Sequence, residues 1–568
     1  MVLLHLNSLL IILLCCCGIC KVSCYFSYSP PKADKNDWWA NSVIYEIFTM
    51  SFFDTDSDGH GDLKGVTQKL DYLAGLGVTA IWLTPFFQSP MESSGYDITD
   101  YKAILPRFGT MDDFKNLIHA THGKGIKVFI DFVPNHTSRK HDWFTKSVRK
   151  IDPYTNYYVW RNAKNHEDVI NKGSDPIVPN NWLRIYPNGD DKSAWIWNKH
   201  RQQYYFVQFA PNLPDLNYRE KAVHDQMGDV LNFWLNLGVD GIRVDALKHV
   251  YEKYTTDDEP LIDPNGSLVY GNLNHTLTVD QPEVYDLIKE WRKLLDGFAA
   301  RNGSNKRAIM TESYSPNTVL SEYYKSGAEI PTYFQLMEQS KNKLATKFYK
   351  LLENWFATMP KGSFNSVLQN HDNPRLSSRF GSKYVDMLNA FQLFLPGPAI
   401  MYYGGEIGMG NQPDQTDGNM RSPMQWDDSA NAGFSDTNPW SPVCDDYKTI
   451  NVKTESDDQK SHLNFFKTVL SLRKSKTLVD GELGVYNFTN TMLVIRRYLN
   501  DDHNYVLVLN FKSSSQDINL SDQITVLKKQ LLVVDGSQQS GYNAGDKIDG
   551  SKYLTLQPIS AVVLTDIF

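Results

Sequence analysis

The sequence predicts an α/β protein: a (β/α)8 TIM barrel with a long insertion after strand 3 and a C-terminal antiparallel β-sandwich domain. Three observations carry the prediction. One plan recurs three times, an amphipathic helix, a glycine stop and an apolar strand ending in polar residues: LKGVTQKLDYLAGLGVTAIWLTP from Leu63, DDFKNLIHATHGKGIKVFIDFVPNH from Asp112 and DVLNFWLNLGVDGIRVDALKH from Asp229. The alternation breaks between about Thr137 and Asn212, where Asn, Asp, Trp and Tyr crowd without helical periodicity. From about Val479 it gives way to short apolar runs separated by turn residues. Helix alternating with buried strand implies parallel pairing, because a parallel connection has to cross over the sheet.

The elements follow in chain order. An apolar run, MVLLHLNSLLIILLCCCGIC, opens the sequence and is too short and too early for a comfortable membrane span. Val22 and Cys24 behind it fit a secretory cleavage site, so residues 1–24 read as a signal peptide. The run lacks an early lysine or arginine, which keeps an uncleaved anchor as the alternative. VIYEIF from Val43 is the first strand candidate. In the repeat that follows, Val66, Leu70 and Leu73 mark the buried helix face, Gly75 and Gly77 end the helix, and Val78 opens the strand. AIMTES from Ala308, SVLQNHD from Ser366, AIMYYGGEIG from Ala399 and a weaker candidate near Tyr333 bring the strands to eight. A doubly wound open sheet is the second architecture. The expected domains are barrel over 25–136, insertion over 137–212, barrel again over 213–478, and a β domain over 479–568 that contains MLVIRRYL, YVLVLNF and QLLVV.

Composition narrows the function. With 568 residues, 41% hydrophobic and 21% charged, the chain can bury a large core. A net charge of -8 without a long basic run excludes a nucleic-acid surface as an expectation. Aromatic content of 13% suits a site that stacks flat ligands or sugar rings, although ordinary core packing accounts for most aromatic residues. Five of the six cysteines lie in the leader, which leaves Cys444 and no internal disulfide. Sequons at Asn265, Asn274, Asn302, Asn487 and Asn519 are candidate glycosylation points, whereas the one at Asn135 sits in an apolar segment. The expectation is a secreted protein with no stable membrane anchor, working in an extracellular space such as a gut lumen or saliva.

In a parallel barrel, reactive side chains gather where the strands end. Those ends carry Asn135 and His136, Arg243 and Asp245, Glu312, and His371 with Asp372. One aspartate at a strand end is usually a helix cap, but three carboxylates, two histidines and an arginine from four strands suggest chemistry. Paired carboxylates without a thiol, a serine triad or a phosphate loop suit glycoside cleavage, where one acts as nucleophile and the other protonates the leaving oxygen. Asp245 beside Arg243 should stay ionised and serve as nucleophile. Glu312, behind Ala308-Ile309-Met310, should be desolvated enough to serve as acid. In GIRVDALKH, alternation places Ile242, Val244 and Ala246 outward and turns Arg243 and Asp245 into the mouth.

DFVPNH, GIRVDALKH, IMTESY and QNHDNPR resemble, in order, the four signature segments of the α-amylase superfamily (glycoside hydrolase family 13), and LPDLN from Leu213 resembles the extra segment of its α-glucosidase branch. The likeness spans nearly the whole chain after the leader and is greatest to secreted insect maltases and sucrases. It implies Asp245 as nucleophile, Glu312 as acid/base and Asp372 as the carboxylate that stabilises the transition state. It also implies that Tyr96, Asp97, His136, Arg243, His371 and Arg375 hold the innermost sugar, with Tyr96 stacking on its face. A small residue at Ala246 goes in this family with α-1,4 links or sucrose; as a plain packing residue it would say nothing.

The loop DTDSDGHGD supplies alternating hard oxygen ligands on a tight turn, which in isolation is no more than an acidic turn. Likeness to related loops implies a structural calcium held by Asp54, Asp56, Asp58 and Asp62 with the His60 carbonyl, and no organic cofactor. Departures are Gly405 where relatives often carry Asp and Ser313 where Ala is common, while Arg421 and Trp426 resemble residues near the substrate entrance. The expected activity is that of an α-glucosidase on a small oligosaccharide or disaccharide. The resemblance implies a retaining mechanism through a covalent glucosyl-enzyme intermediate, and two alternatives stand beside it: a transglucosidase or isomerase using that intermediate, and a barrel kept as a binding receptor.

Overall fold

The computed structural model describes residues 24–566 apart from 33, 35, 189, 190, 413–418, 501, 523, 525, 526, 528 and 529. All of the leader except Cys24, including Cys15, Cys16, Cys17 and Cys20, lies outside the described residues. Among the described residues no helix is long and apolar enough to cross a membrane, and Cys24 and Cys444 are both free thiols.

Eight short strands form one parallel sheet: β1 (Val43–Ile47), β2 (Ala80–Leu83), β3 (Lys127–Phe132), β4 (Gly241–Val244), β5 (Ala308–Thr311), β6 (Ile330–Pro331), β7 (Ser366–Val367) and β8 (Ala399–Tyr402). Their ladder order is β6-β5-β4-β3-β2-β1-β8-β7. Every strand except β7 lies beside its predecessor in the ladder and β8 returns to β1, which is the order of a barrel and excludes an open doubly wound sheet. The two ends of the ladder, β6 and β7, are joined by a side chain. Asn365 donates from Nδ2 to the Pro331 carbonyl (2.7 Å) and accepts at Oδ1 from the Tyr333 amide (2.9 Å). Pro331 has no N–H to donate to a ladder, and at this seam the Asn365 side chain makes the link.

The two faces of the strands form separate apolar clusters. Val43, Tyr45, Ile47, Ile81, Leu83, Val128, Ile130, Ile242 and Val244 belong to the large cluster under the helices. Ile44, Ala80, Trp82, Phe129, Ala308, Met310, Ile330, Val367 and Ile400 fill the interior. Glu46, Asp131 and Arg243 share the inward parity of Ile44, Phe129 and Gly241, so these three charges sit inside the barrel. Gly241 is required there, because a Cβ at that position would lie 2.3 Å from the Phe129 ring.

The helices differ in detail from expectation. The first repeat forms two helices, α1 (Leu63–Gln68) and α2 (Leu70–Leu76), with Gly75 inside the second. Gly77 alone is the stop, with φ 98° in the left-handed region, and the strand opens at Ala80 rather than Val78. The second, α3 (Met111–Gly123), starts on a capping box between Thr110 and Asp113. The third, α4 (Lys221–Asn236), begins eight residues before Asp229. β6 ends before Tyr333.

The insertion has its own apolar cluster of Val159, Ala163, Val169, Trp182, Ala194, Trp195, Tyr204 and Phe206. It returns to the barrel through bridges between His136 and Asp215 and between Tyr158 and Leu216. At the far end a seven-stranded antiparallel sheet includes β9 (Glu482–Thr489), β10 (Met492–Tyr498) and β11 (Tyr505–Asn510). Its edge strand, Cys24–Tyr28, pairs antiparallel with β9. The first described residues therefore join the C-terminal sheet, although sequence reading counted 25–28 with the barrel.

Candidate active site

The polar side chains gather at the C-terminal ends of the strands around Arg243. This guanidinium is 2% exposed and meets three carboxylates: Asp131 at 2.7 Å and Asp245 at 2.5 Å through Nη1, and Glu312 at 3.1 Å through Nη2. The Trp82 ring lies 4.9 Å away and its Nε1 donates to Asp131. Hydrogen bonds that continue the ladder position the two reactive candidates. The Asp245 amide donates to the Phe132 carbonyl (2.9 Å) and the Glu312 amide to the Val244 carbonyl (2.9 Å).

Ala246 does not pack on the outer face of β4 as alternation suggested. The strand ends at Val244, and Ala246 turns the chain at φ 50°, ψ 30°, a conformation that L side chains disfavour. There its amide donates to Glu312 Oε2 (2.9 Å). The backbone turn after the candidate nucleophile thus holds the candidate acid.

The protonation of Asp245 also departs from expectation. Burial, then the neighbouring Glu312 carboxylate, push Asp245 well above the usual carboxylate range, and Arg243 opposes them without prevailing. Both carboxyls meet the same guanidinium, and the crowding of like charge there is the second cause of the rise after burial. Asp372 behaves differently. Burial would raise it, but His371, Arg421 and Arg243 outweigh burial and hold it below the usual range. It is the persistent anion of the set.

His371 is pinned on both ring nitrogens. Nδ1 meets Glu46 Oε1 at 2.5 Å, and Nε2 faces the Tyr96 hydroxyl at 2.8 Å and Asp372 Oδ2 at 3.4 Å. The Tyr96 ring stacks on His371 at 5.6 Å and 10°. Burial lowers His136 to about 4, so it is neutral over the ordinary pH range. Its Nδ1 lies 3.2 Å from Asn135 Nδ2, which also reaches Asp215. Asn135 is 1% exposed, as its apolar surroundings implied for that sequon.

Two residues expected to hold sugar face elsewhere. Asp97 is wholly buried and accepts from the Ser89 hydroxyl and the amides of Glu92 and Ser93, fixing the loop that carries Tyr96. Arg375 is also wholly buried, donating to the carbonyls of Tyr403 (2.6 Å) and Met420 (3.1 Å) between two tyrosine rings. It braces the segment that presents Arg421. Arg421, read from sequence only as an entrance residue, reaches Asp372 Oδ1 at 3.0 Å, the Ser94 hydroxyl at 3.0 Å and the His371 carbonyl at 2.9 Å.

Sequence reasoning missed Glu46 and Asp131 altogether. The available signal was a lone carboxylate inside each of two apolar strands, VIYEIF and KVFIDF, at an inward position.

In the acidic loop, oxygens of Asp54, Asp56 and Asp58 lie within 4.8 Å of one another, a donor set that fits a hard cation. Asp62 is otherwise engaged. It accepts from the Thr55 and Gly65 amides at 2.8 Å each and caps α1, so its carboxylate is spent on the helix start. Asp54 also accepts from the Gly59 amide (2.9 Å) and the Ser435 hydroxyl (2.6 Å).

A family model described as "Alpha amylase, catalytic domain" matches residues 46–481. "Maltase 1" of Drosophila virilis is 39% identical over 544 residues, covering 90% of this chain and 84% of that protein. "Salivary alpha-glucosidase" of Anopheles gambiae is 36% identical over 570 residues, covering 94% of each. Among solved structures, the alpha-glucosyl transfer enzyme XgtA is similar at a TM-score of 0.79 and 29% identity, covering 93% of this chain and 99% of that one.

Proposed function

The chain belongs to the α-amylase family and is a glycoside hydrolase; from that premise we propose that it is a secreted retaining α-glucosidase, releasing terminal glucose from maltose-type oligosaccharides or sucrose. The observation that carries this reading is the single guanidinium of Arg243 in contact with both Asp245 and Glu312. The double displacement needs one carboxylate as nucleophile and one carboxylic acid as proton donor, side by side. Glu312 protonates the glycosidic oxygen, the C1–O bond breaks, and the Asp245 carboxylate attacks C1 to form a glucosyl ester. Glu312, now a base, takes a proton from water as the water attacks C1 and releases Asp245. Asp372 stays anionic throughout and faces the positive charge that develops on the sugar. His371 and Tyr96, locked to each other and to Glu46, form a flat wall for the same ring.

A calcium ion held by Asp54, Asp56 and Asp58 would brace the loop leading into α1, with no part in the chemistry. Secretion is supported by the apolar leader and by the likeness to a salivary protein. The same glucosyl ester could pass to a sugar instead of water, and the likeness to an alpha-glucosyl transfer enzyme favours testing that outcome. Product analysis with maltose and with sucrose, each alone, is the decisive assay. Free glucose as the main product supports hydrolysis, new disaccharides support transfer, and unchanged substrate in both would contradict an active glucosidase.

A further inference from the structure

Tyr186 is the fourth residue of the insertion strand Leu183–Asn188. Its backbone is fixed against the segment that enters the site. The Ile185 amide donates to the Gln208 carbonyl (2.8 Å) and the Tyr186 amide to the Phe209 carbonyl (3.1 Å). Phe209 packs beside His136 (5.4 Å between ring centres) and His249 (5.0 Å), as part of the pocket wall. The Tyr186 ring stands one step further out, 6.4 Å from Phe209 and tilted by 34°.

Arg184, two residues before it, is buried and donates to the Ser193 carbonyl, whereas Tyr186 is 64% exposed. The geometry sets the ring beside the wall formed by Phe209 and His136, and surrounding protein, then the charges of Asp372, Glu312 and Asp245, push the Tyr186 hydroxyl up to about 12. Tyr270, from the loop beyond β4, is near enough for its own hydroxyl to feel Tyr186.

The inner end of the pocket is already furnished by Tyr96, His371, Asp372 and Arg421 for the ring that is transferred. A second ring across the scissile bond has to extend outward, towards the insertion. There an aromatic face fixed by its backbone and left uncovered offers the C–H face of a pyranose a surface to pack on. We propose that Tyr186 is the platform for the leaving sugar and sets the preference for substrates that carry a ring beyond the scissile bond. This rests on the reading of Asp245 and Glu312 as the reacting pair.

The test compares kcat/KM on maltose with kcat/KM on α-D-glucosyl fluoride, which has no second ring. For Tyr186→Ala the maltose-to-fluoride ratio falls roughly fivefold to tenfold, the worth of one well-packed aromatic contact. Tyr186→Phe, which keeps the ring and loses the hydroxyl, stays within about twofold of the parent ratio. An unchanged ratio in Tyr186→Ala overturns the proposal, as does a loss in Tyr186→Phe equal to that in Tyr186→Ala. Failure of the reacting pair itself reads out separately, because Asp245→Asn would then still turn over both substrates.

Discussion

Asp215 illustrates how a buried residue outside the reacting pair shapes the protein. It lies beneath the insertion, bonded to the Gln208 amide (3.1 Å) and side chain (2.8 Å), with Asn135 at 3.3 Å. Through Gln208 it supports His249, and through Asn135 it supports His136. Burial, the dominant cause, raises it from 3.8 to about 8. The folded protein therefore keeps this proton over a range where the unfolded chain releases it, and stability contributed by the group is lost as pH rises from about 4 to about 8. In Asp215→Asn that loss is absent, so the fall in Tm between pH 5 and pH 8 becomes shallower. A slope identical to that of the parent protein would show that Asp215 does not carry the proton.

The same scale explains what sequence could and could not reveal about the site. Asp245, Glu312, His371 and Asp372 follow apolar runs at strand ends, where a polar residue is conspicuous. Glu46 and Asp131 sit within the runs and pass for interruptions until the barrel closes and sets Glu46 against His371 and Asp131 against Arg243. Arg421 reaches Asp372 across 49 residues of chain, a proximity no spacing rule could supply.

At the level of elements, short strands matter more than long ones. β6 and β7 have two residues each, too few to carry a visible alternation, and Asn365 joins them by side-chain bonds. The expectation near Tyr333 consequently fell past the strand's end. Ala246 escaped for a related reason: periodicity describes a strand and says nothing of the left-handed turn behind it. The loop from Asp54 to Asp62 divides its carboxylates between two tasks, three gathered together and one capping α1. Chelation of the purified protein is expected to lower its Tm by several degrees without abolishing turnover, with added calcium restoring it. No shift in Tm on chelation, with no calcium found by elemental analysis, would remove the metal from the account.

For the whole molecule, the repeated helix–glycine–strand plan was enough to reach the barrel, because parallel strands must be covered by helices and three clear repeats imply the rest. Less was legible at the margins. Cys24–Tyr28 pairs with β9, more than 450 residues away by the register Tyr25 to Tyr486, and local sequence carries no trace of that pairing. The barrel, the insertion above it and the strands' C-terminal ends together build a pocket in which one arginine holds two carboxyls. The account's central claim is that these carboxyls act by double displacement through an ester on Asp245. Proton NMR of the glucose released from p-nitrophenyl α-D-glucopyranoside, whose leaving group adds no second glucose, tests this most directly. The account predicts α-glucose first, with the β anomer appearing only at the rate of mutarotation, whereas β-glucose as the initial product would contradict it.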